Sequence, residues 1–279
     1  MEQSAERNGA IEVDGRRLTW RSVGEGPPMM LITGYSGAAA GWDPEFLSAL
    51  GRSFEVICPD NRGIGGSQLG ELKEPLTIEA MAADVEALLD ALEIDLLPVA
   101  GWSMGGFIAQ ALAARSPARV EALVLLATNP GGATSVPADP DAITRLTDHS
   151  GTPREQATRL IELLFPAAVT ADFDRSIGDL MAEARAELSP EALHAQQEAL
   201  STWGGVEPAH PEDRPPLPVL AACGTEDIVI QPENTNRLAA HWPNCRVEYF
   251  ESCGHAFMAQ EPERLADLIT SFLRDERSR

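Results

Sequence analysis

Along the first 130 residues, short apolar runs alternate with stretches whose apolar positions recur at helical spacing. RLTWRSVG (17–24), PMMLITG (28–34), FEVICPD (54–60), LLPVAGW (96–102) and VEALVLLAT (120–128) read as strands. A short helix is expected around 43–50. TIEAMAADVEALLDALEI (77–94) places apolar residues at 78, 81, 85, 88, 89 and 92, a helical period, and FIAQALAARSP (107–117) reads as the next helix. Continuous apolar strands separated by helices predict a parallel sheet covered on both faces, and right-handed crossovers leave few topologies.

The rhythm breaks after Thr128. From about 130 to 213 no run looks like a strand. NPGGATSVPADPD (129–141) reads as a loop, and helical patterns follow it; in one of them Phe173, Ile177, Leu180, Met181 and Ala184 form a single apolar stripe. The proline-rich EPAHPEDRPPLP (207–218) reads as a linker. The alternation then resumes with VLAACG (219–224), a helix near 233–241, RVEYF (246–250) and a last helix over about 260–274. The expected organisation is an α/β core made of residues 1–129 and 214–279. An all-helical insertion, 130–213, would form a lid over the strand ends.

Composition narrows the class. A chain of 279 residues with 44% hydrophobic content can bury a large core. The net charge of −22 weighs against nucleic acid and anionic membrane surfaces as partners. The N-terminal MEQSAERNGA lacks the apolar core of a signal peptide. The longest apolar stretch, 98–114, is interrupted by Ser103, Gln110 and three glycines, so it reads as strand, turn and helix rather than a membrane span. Cys58, Cys223, Cys245 and Cys253 show neither a CxxC pair nor a zinc-like spacing. Reduced core thiols and a cytoplasmic location are expected. No metal and no cofactor are called for, and the oligomeric state is not legible.

Candidate chemistry begins at GWSMGG (101–106), directly after an apolar strand and before an Ala-rich helix. Ser103 is either an ordinary helix cap or a nucleophile lifted out on a strained G-x-S-x-G turn. A nucleophilic serine needs a base. Of five histidines, His149 and His194 fall in the helical insertion, His210 in its linker and His241 at a helix end. His255, in ESCGHAFM just after the last strand, is the one on a strand-end loop; its bland alternative is a turn residue capping the last helix. The imidazole needs a carboxylate to fix its tautomer, and CGTEDIVIQP offers Glu226 and Asp227 after another strand. The chain order Ser103, Asp227, His255 matches the Ser…Asp/Glu…His order of one hydrolase architecture. Backbone N–H groups of Met104 and of Tyr35, the latter in the glycine-rich TGYSGAAAG, are the candidate oxyanion donors. A nucleophilic Cys253 would lack an elbow, and the RGIGGS glycines are not a phosphate loop.

These motifs resemble the α/β-hydrolase superfamily over about residues 10–274. CPDNRGIGGS resembles its D-x-R-G-x-G-x-S turn after the fourth strand, GTEDIVIQP its acid loop, and GHAFMAQEPERLADLI its G-H loop and final helix. GWSMGGFIAQALAARSPARVEALVLLAT is similar to the elbow, helix and strand of esterases, enol-lactonases and cofactor-free haloperoxidases. The resemblance implies eight strands, mostly parallel, a helical cap after the sixth, a Ser103–His255–Asp227 triad and no cofactor. It favours Asp227 over Glu226, as the Asp of a G-x-x-D counted from Gly224. Relatives that act on haloalkanes or epoxides carry Asp where Ser103 stands, so neither reaction is expected. Many relatives carry His-Gly before the oxyanion loop; this chain has Thr33-Gly34.

The expected function is hydrolysis of a carboxylic ester or lactone of a small, largely apolar molecule. Trp102, Phe173, Met181 and Phe257 are the candidate substrate contacts. Two other readings share the fold. One is ligand binding, cyclisation or elimination without hydrolysis, toward which Thr33 is the only hint; the other is carbon–carbon bond hydrolysis by the same triad.

Overall fold

The computed structural model describes residues 6–207 and 216–278. The elements in chain order are β1 (Glu6–Val13), β2 (Arg16–Val23), β3 (Pro28–Ile32), α1 (Pro44–Gly51), β4 (Glu55–Pro59), α2 (Ile78–Ala91), β5 (Leu97–Trp102), α3 (Met104–Arg115) and β6 (Val120–Leu126). Four helices follow: α4 (Pro140–Leu146), α5 (Pro153–Leu164), α6 (Ala167–Ala186) and α7 (Pro190–Ser201). The chain then continues through β7 (Val219–Gly224), α8 (Glu233–His241), β8 (Cys245–Phe250), α9 (Phe257–Gln260) and α10 (Pro262–Arg277). The strands form one sheet in the order β1-β2-β4-β3-β5-β6-β7-β8. The pairs β1–β2 and β2–β4 are antiparallel and the others parallel.

The apolar strands bury both faces, as continuous hydrophobic runs in a parallel sheet should. In β6, Leu123 and Leu125 pack with α2 and α3, whereas Ala122, Val124 and Leu126 pack with α1 and α10. Val219 and Ala221 of β7 join the first cluster, and Leu220 and Ala222 the second. This alternation places every parallel strand between two helical layers. Their C-terminal ends therefore open on one edge, where ligands of open α/β sheets bind.

Four helices occupy the stretch between β6 and β7, and among the described residues no strand interrupts them. Three of them start alike: Asp139, Thr152 and Ser189 cap the first turn, each followed by proline at the first helical position. Thr152 and Glu155 complete a reciprocal capping box on α5. Most of the linker read at 207–218 and the boundary at 213/214 lie outside the described residues.

The structure differs from the sequence reading in four places. β1 has no apolar run to announce it: it is a mostly exposed edge strand, reading ERNGAIEV, and only Ile11 and Val13 reach the core. Helix α3 begins at Met104 rather than Phe107, because Gly105 and Gly106 enter its first turn. The last helix is two, α9 and α10; Glu261 stands before Pro262 with φ −132° and ψ 54°, since a residue before proline is pushed out of the helical region. In α6, Phe173, Ile177 and Met181 pack inward, but Leu180 is 67% exposed and Ala184 is also exposed, because α6 packs chiefly on α5.

One buried charge cluster ties the antiparallel part of the sheet to α2. Asp84 accepts from Arg62 Nε at 2.8 Å and Arg62 Nη2 at 2.6 Å, and also pairs with Arg16 of β2. Asp84 and Arg16 are both buried, so removing the carboxylate leaves Arg62 without its counter-charge and Arg16 with only the exposed Asp14, 3.9 Å away. Asp84→Ala is expected to lower unfolding stability by about 3–5 kcal/mol, read as a lower urea midpoint with an unchanged slope. A change under about 1 kcal/mol would show that water reaches these groups.

Candidate active site

Ser103 sits where β5 passes directly into α3, with φ 56° and ψ −120°, a conformation that costs a non-glycine residue about 1–3 kcal/mol. The reversal is this tight because its neighbours lack side chains. A Cβ on Gly101 would lie 2.1 Å from Gly105 O, and one on Gly105 would lie 2.2 Å from Ile32 O. Three hydrogen bonds hold the strained residue: Ser103 N–H donates to Leu126 O at 2.9 Å, while Thr128 Oγ1 (2.8 Å) and Gly106 N (2.9 Å) donate to Ser103 O. Its side chain makes no cap bond to the helix, so the hydroxyl is not spent as the cap that the bland reading required.

Asp227 and His255 meet across the ends of β7 and β8. His255 Nδ1 donates to Asp227 Oδ2 at 2.7 Å, and both residues are 2% exposed. The second carboxylate oxygen, Oδ1, accepts from Val229 N (2.8 Å) and Ile230 N (2.9 Å), so the buried charge is fully hydrogen-bonded. The two loops are stitched together by Thr225 N to Phe250 O (2.9 Å) and Glu226 N to Cys253 O (2.8 Å). The Glu226 side chain points outward and is exposed. Of the adjacent carboxylates, Asp227 is the one in contact with His255.

Trp102 links this pair to the elbow. Its indole Nε1 donates to His255 O at 2.9 Å, and its ring centroid lies 5.3 Å from the His255 imidazole and 5.9 Å from Trp42. His255 therefore stands beside the residue that precedes Ser103. On the other side a Cβ on Gly34 would come within 3.1 Å of Ser103 Cβ, so the loop after β3 also abuts the serine.

That loop is the one carrying Tyr35. Gly37 N donates to Gly34 O at 3.2 Å and Ser36 has φ 58°, a turn whose third position is left-handed. Thr33 takes up part of the bracing: its Oγ1 donates to Gly37 O at 2.7 Å, and Asn61 Nδ2 donates to Thr33 O at 3.0 Å. Gln196 of α7, fully buried, accepts from Ser36 N at 3.0 Å and donates to Arg62 O at 3.1 Å. Asn61, Gln196, His149 and Arg185 all serve this loop and escaped the sequence reading. Asn61 alone was within reach of it, lying inside the D-x-R-G motif. Met104, the first residue of α3, has a backbone N–H with no intrahelical acceptor.

The remaining candidates divide. Phe173 stacks on Phe165 with ring centroids 3.7 Å apart, and Phe173, Met181 and Trp102 are half-buried on the same apolar cluster. Phe257 is different: it is 0% exposed and packs on Phe250 at 4.8 Å in the core, with no surface for a substrate. Burial pushes the Cys253 thiol up to about 11 and those of Cys58 and Cys223 to about 12, which leaves them without thiolate character at neutral pH. Among the described residues no helix is long and apolar enough to cross a membrane.

Comparison with known proteins agrees with this architecture. The sequence profile of the alpha/beta hydrolase fold matches residues 27–262. A relative in Variovorax paradoxus, provisionally assigned as carbamate hydrolase RutD, is 30% identical over 89% of this chain and 92% of its own length. Among solved structures, an enol-lactonase from Burkholderia xenovorans superposes with a TM-score of 0.80 at 24% identity, covering 95% of this chain and all of its own. A meta-cleavage product hydrolase from Pseudomonas fluorescens superposes with a TM-score of 0.81 at 22% identity, over 96% and 97% of the two chains. At such identities the two superpositions show a common fold. The profile match, spanning most of the sequence, and the eight-stranded sheet lead to one conclusion: this chain belongs to the alpha/beta hydrolase fold family.

Proposed function

We propose that this protein is a serine hydrolase that cleaves a carboxylic ester or lactone of a small, largely apolar substrate through an acyl-enzyme. The observation that carries this reading is the buried 2.7 Å bond between Asp227 and His255 Nδ1, next to a serine whose strained backbone no cap role explains. A carboxylate on Nδ1 leaves Nε2 as the lone-pair nitrogen, the tautomer that a general base requires.

In this mechanism Ser103 Oγ attacks the substrate carbonyl as its proton passes to His255 Nε2. Asp227 stabilises the imidazolium without taking the proton. The N–H groups of Tyr35 and Met104 donate to the oxyanion; one such donor is worth about 10²–10³ in turnover. Collapse of the tetrahedral intermediate passes the proton from His255 to the departing alkoxide. Water then attacks the acyl-enzyme as its proton passes to His255 Nε2, and collapse of the second intermediate returns that proton to Ser103 Oγ and releases the carboxylic acid. The relatives named above as lactonase and hydrolases support the reaction class.

The helices of the 130–213 insertion serve as the cap of a core made of residues 1–129 and 214–279. Phe173 and Met181 present apolar surface from α6, and Trp102 does so from the elbow, which favours an apolar acyl or alcohol group.

An organophosphonate probe is expected to add one adduct at Ser103, lost in Ser103→Ala; intact-mass analysis of a folded protein without an adduct would overturn the serine reading. Asp227→Asn is expected to cost about 10⁴ in turnover and Glu226→Gln less than about tenfold, both with native melting behaviour. Equal effects in the two variants would remove Asp227 from its role. Phe173→Ala or Met181→Ala should shift the preferred chain length across a series of p-nitrophenyl esters while the phosphonate adduct still forms. One methylene is worth only about 1–3 kcal/mol, so a several-fold change in ranking is the scale to look for.

A further inference from the structure

Arg185 is 8% exposed on α6, and the acceptors it meets there carry no charge. It donates to Ser36 Oγ at 3.2 Å, to Gln156 Oε1 at 3.2 and 3.3 Å, and contacts His149 Nδ1 at 3.0 Å. A guanidinium can only donate. Nδ1 of His149 must therefore be the lone-pair nitrogen, and its ring proton sits on Nε2, 2.9 Å from Tyr35 Oη. The direction of the chain is thus determined: Arg185 donates to His149, and His149 donates to Tyr35. Gln156 Nε2 holds the histidine backbone from α5, donating to His149 O at 2.7 Å. The chain ends on both central residues of the Gly34–Gly37 turn, Tyr35 through its hydroxyl and Ser36 through its Oγ.

We propose that Arg185 and His149 are positioning residues that hold the Tyr35–Ser36 turn in place for the oxyanion, and that they do so only while His149 is neutral. The inference rests on the serine-hydrolase reading for its catalytic consequence, though the brace itself does not.

Protonation of His149 would turn Nδ1 into a second donor facing the Arg185 N–H and set two positive charges side by side. The groups around the ring are Tyr35 on the turn, Arg185 on α6, Arg159 on α5 and Asp148 beside it in the chain. Burial first, and then Arg185, hold the imidazole below the ordinary histidine range, while Asp148 pulls the other way. Burial pushes the Tyr35 phenol up to about 12, so Tyr35 stays neutral throughout and His149 is the titrating member. Because the fold favours the neutral ring, the brace is complete above the His149 range and is lost as pH falls through it.

Amide hydrogen exchange of residues 33–37, corrected for intrinsic rates, tests the brace without reference to catalysis. In the wild type, protection should fall at least about tenfold as pH is lowered from about 8 to about 4, a window that reaches well below the ordinary histidine range. His149→Asn keeps an acceptor for Arg185 and cannot titrate, so its protection should be flat over the same range. Arg185→Met should be poorly protected at every pH. The kinetic arm uses ester turnover. On the acid side, kcat/KM of the wild type should fall about 10–100-fold further than that of His149→Asn, the factor by which the lost brace displaces the oxyanion donor. Arg185→Met should lower kcat by about 10–100-fold with little change in KM, the signature of a displaced oxyanion donor. Flat wild-type exchange, or exchange in His149→Asn that still follows pH, overturns the brace. Exchange that depends on pH while the acid sides of the wild-type and His149→Asn profiles coincide overturns its role in catalysis. Intact exchange behaviour with no ester turnover and no phosphonate adduct sinks the hydrolase reading instead.

Discussion

The backbone contact between Gly101 and Gly105 is the constraint on which the site depends. A strand in the middle of a parallel sheet normally needs a loop before its crossover helix, and a loop would carry the serine away from the neighbouring strand ends. With no Cβ at either glycine, β5 turns into α3 within one residue, and Ser103 stays at the edge of the sheet. β5 lies between β3 and β6, so the loop after β3 and the end of β6 flank the serine directly. Thr128, just past β6, holds Ser103 O, and Gly34, just past β3, abuts its side chain. The strain of about 1–3 kcal/mol is offset by two hydrogen bonds at the end of β6 and one within the first turn of α3.

The polar groups buried around this edge are arranged so that nearly every donor and acceptor has a named partner. Asp227 spends one oxygen on two backbone N–H groups and the other on His255. A carboxylate bound in this way is held in one position, which a free side chain on a loop would not be. Arg62, next to Asn61 in the D-x-R-G turn, is committed to Asp84, while Asn61 braces the loop after β3. That turn therefore connects the buried ion cluster of α2 to the proposed oxyanion loop. The helices between β6 and β7 add a second connection through Gln196 and through Arg185 and His149. Insertion and core are joined by hydrogen bonds at the place where the reaction is proposed to occur, and not only by apolar packing.

Most of the sheet was legible in the amino-acid order because a parallel strand buried on both faces needs a continuous apolar run, and β3 to β7 each have one. β1 has none, since an edge strand facing water is stabilised by pairing with β2 and needs little burial; periodicity could not announce it. The all-helical stretch after Thr128 was legible because no run in it looks like a strand and its apolar positions recur at helical spacing. The exposure of Leu180 was not, because periodicity shows which residues share a face and not whether another element covers that face. Ser103, Asp227 and His255 could be picked out as candidates because each sits immediately after a strand, and the strand ends of such a sheet share one edge.

Sequence by itself determined the fold class, the G-x-S-x-G turn with its glycines, and a short list of candidate partners for Ser103. Tertiary structure decided between Glu226 and Asp227, since which of two adjacent carboxylates turns inward depends on the partner waiting 28 residues later. It also removed Phe257 from the substrate contacts, because the core, not the cleft, surrounds that ring. The bracing of the loop after β3 was invisible in the chain order for the same reason. His149, Arg185 and Gln196 lie 114 to 160 residues from the turn they hold, and neither spacing nor residue type marks them. Local physics dictates turns and strands from neighbouring residues; which distant donors and acceptors meet is settled only when the helices pack.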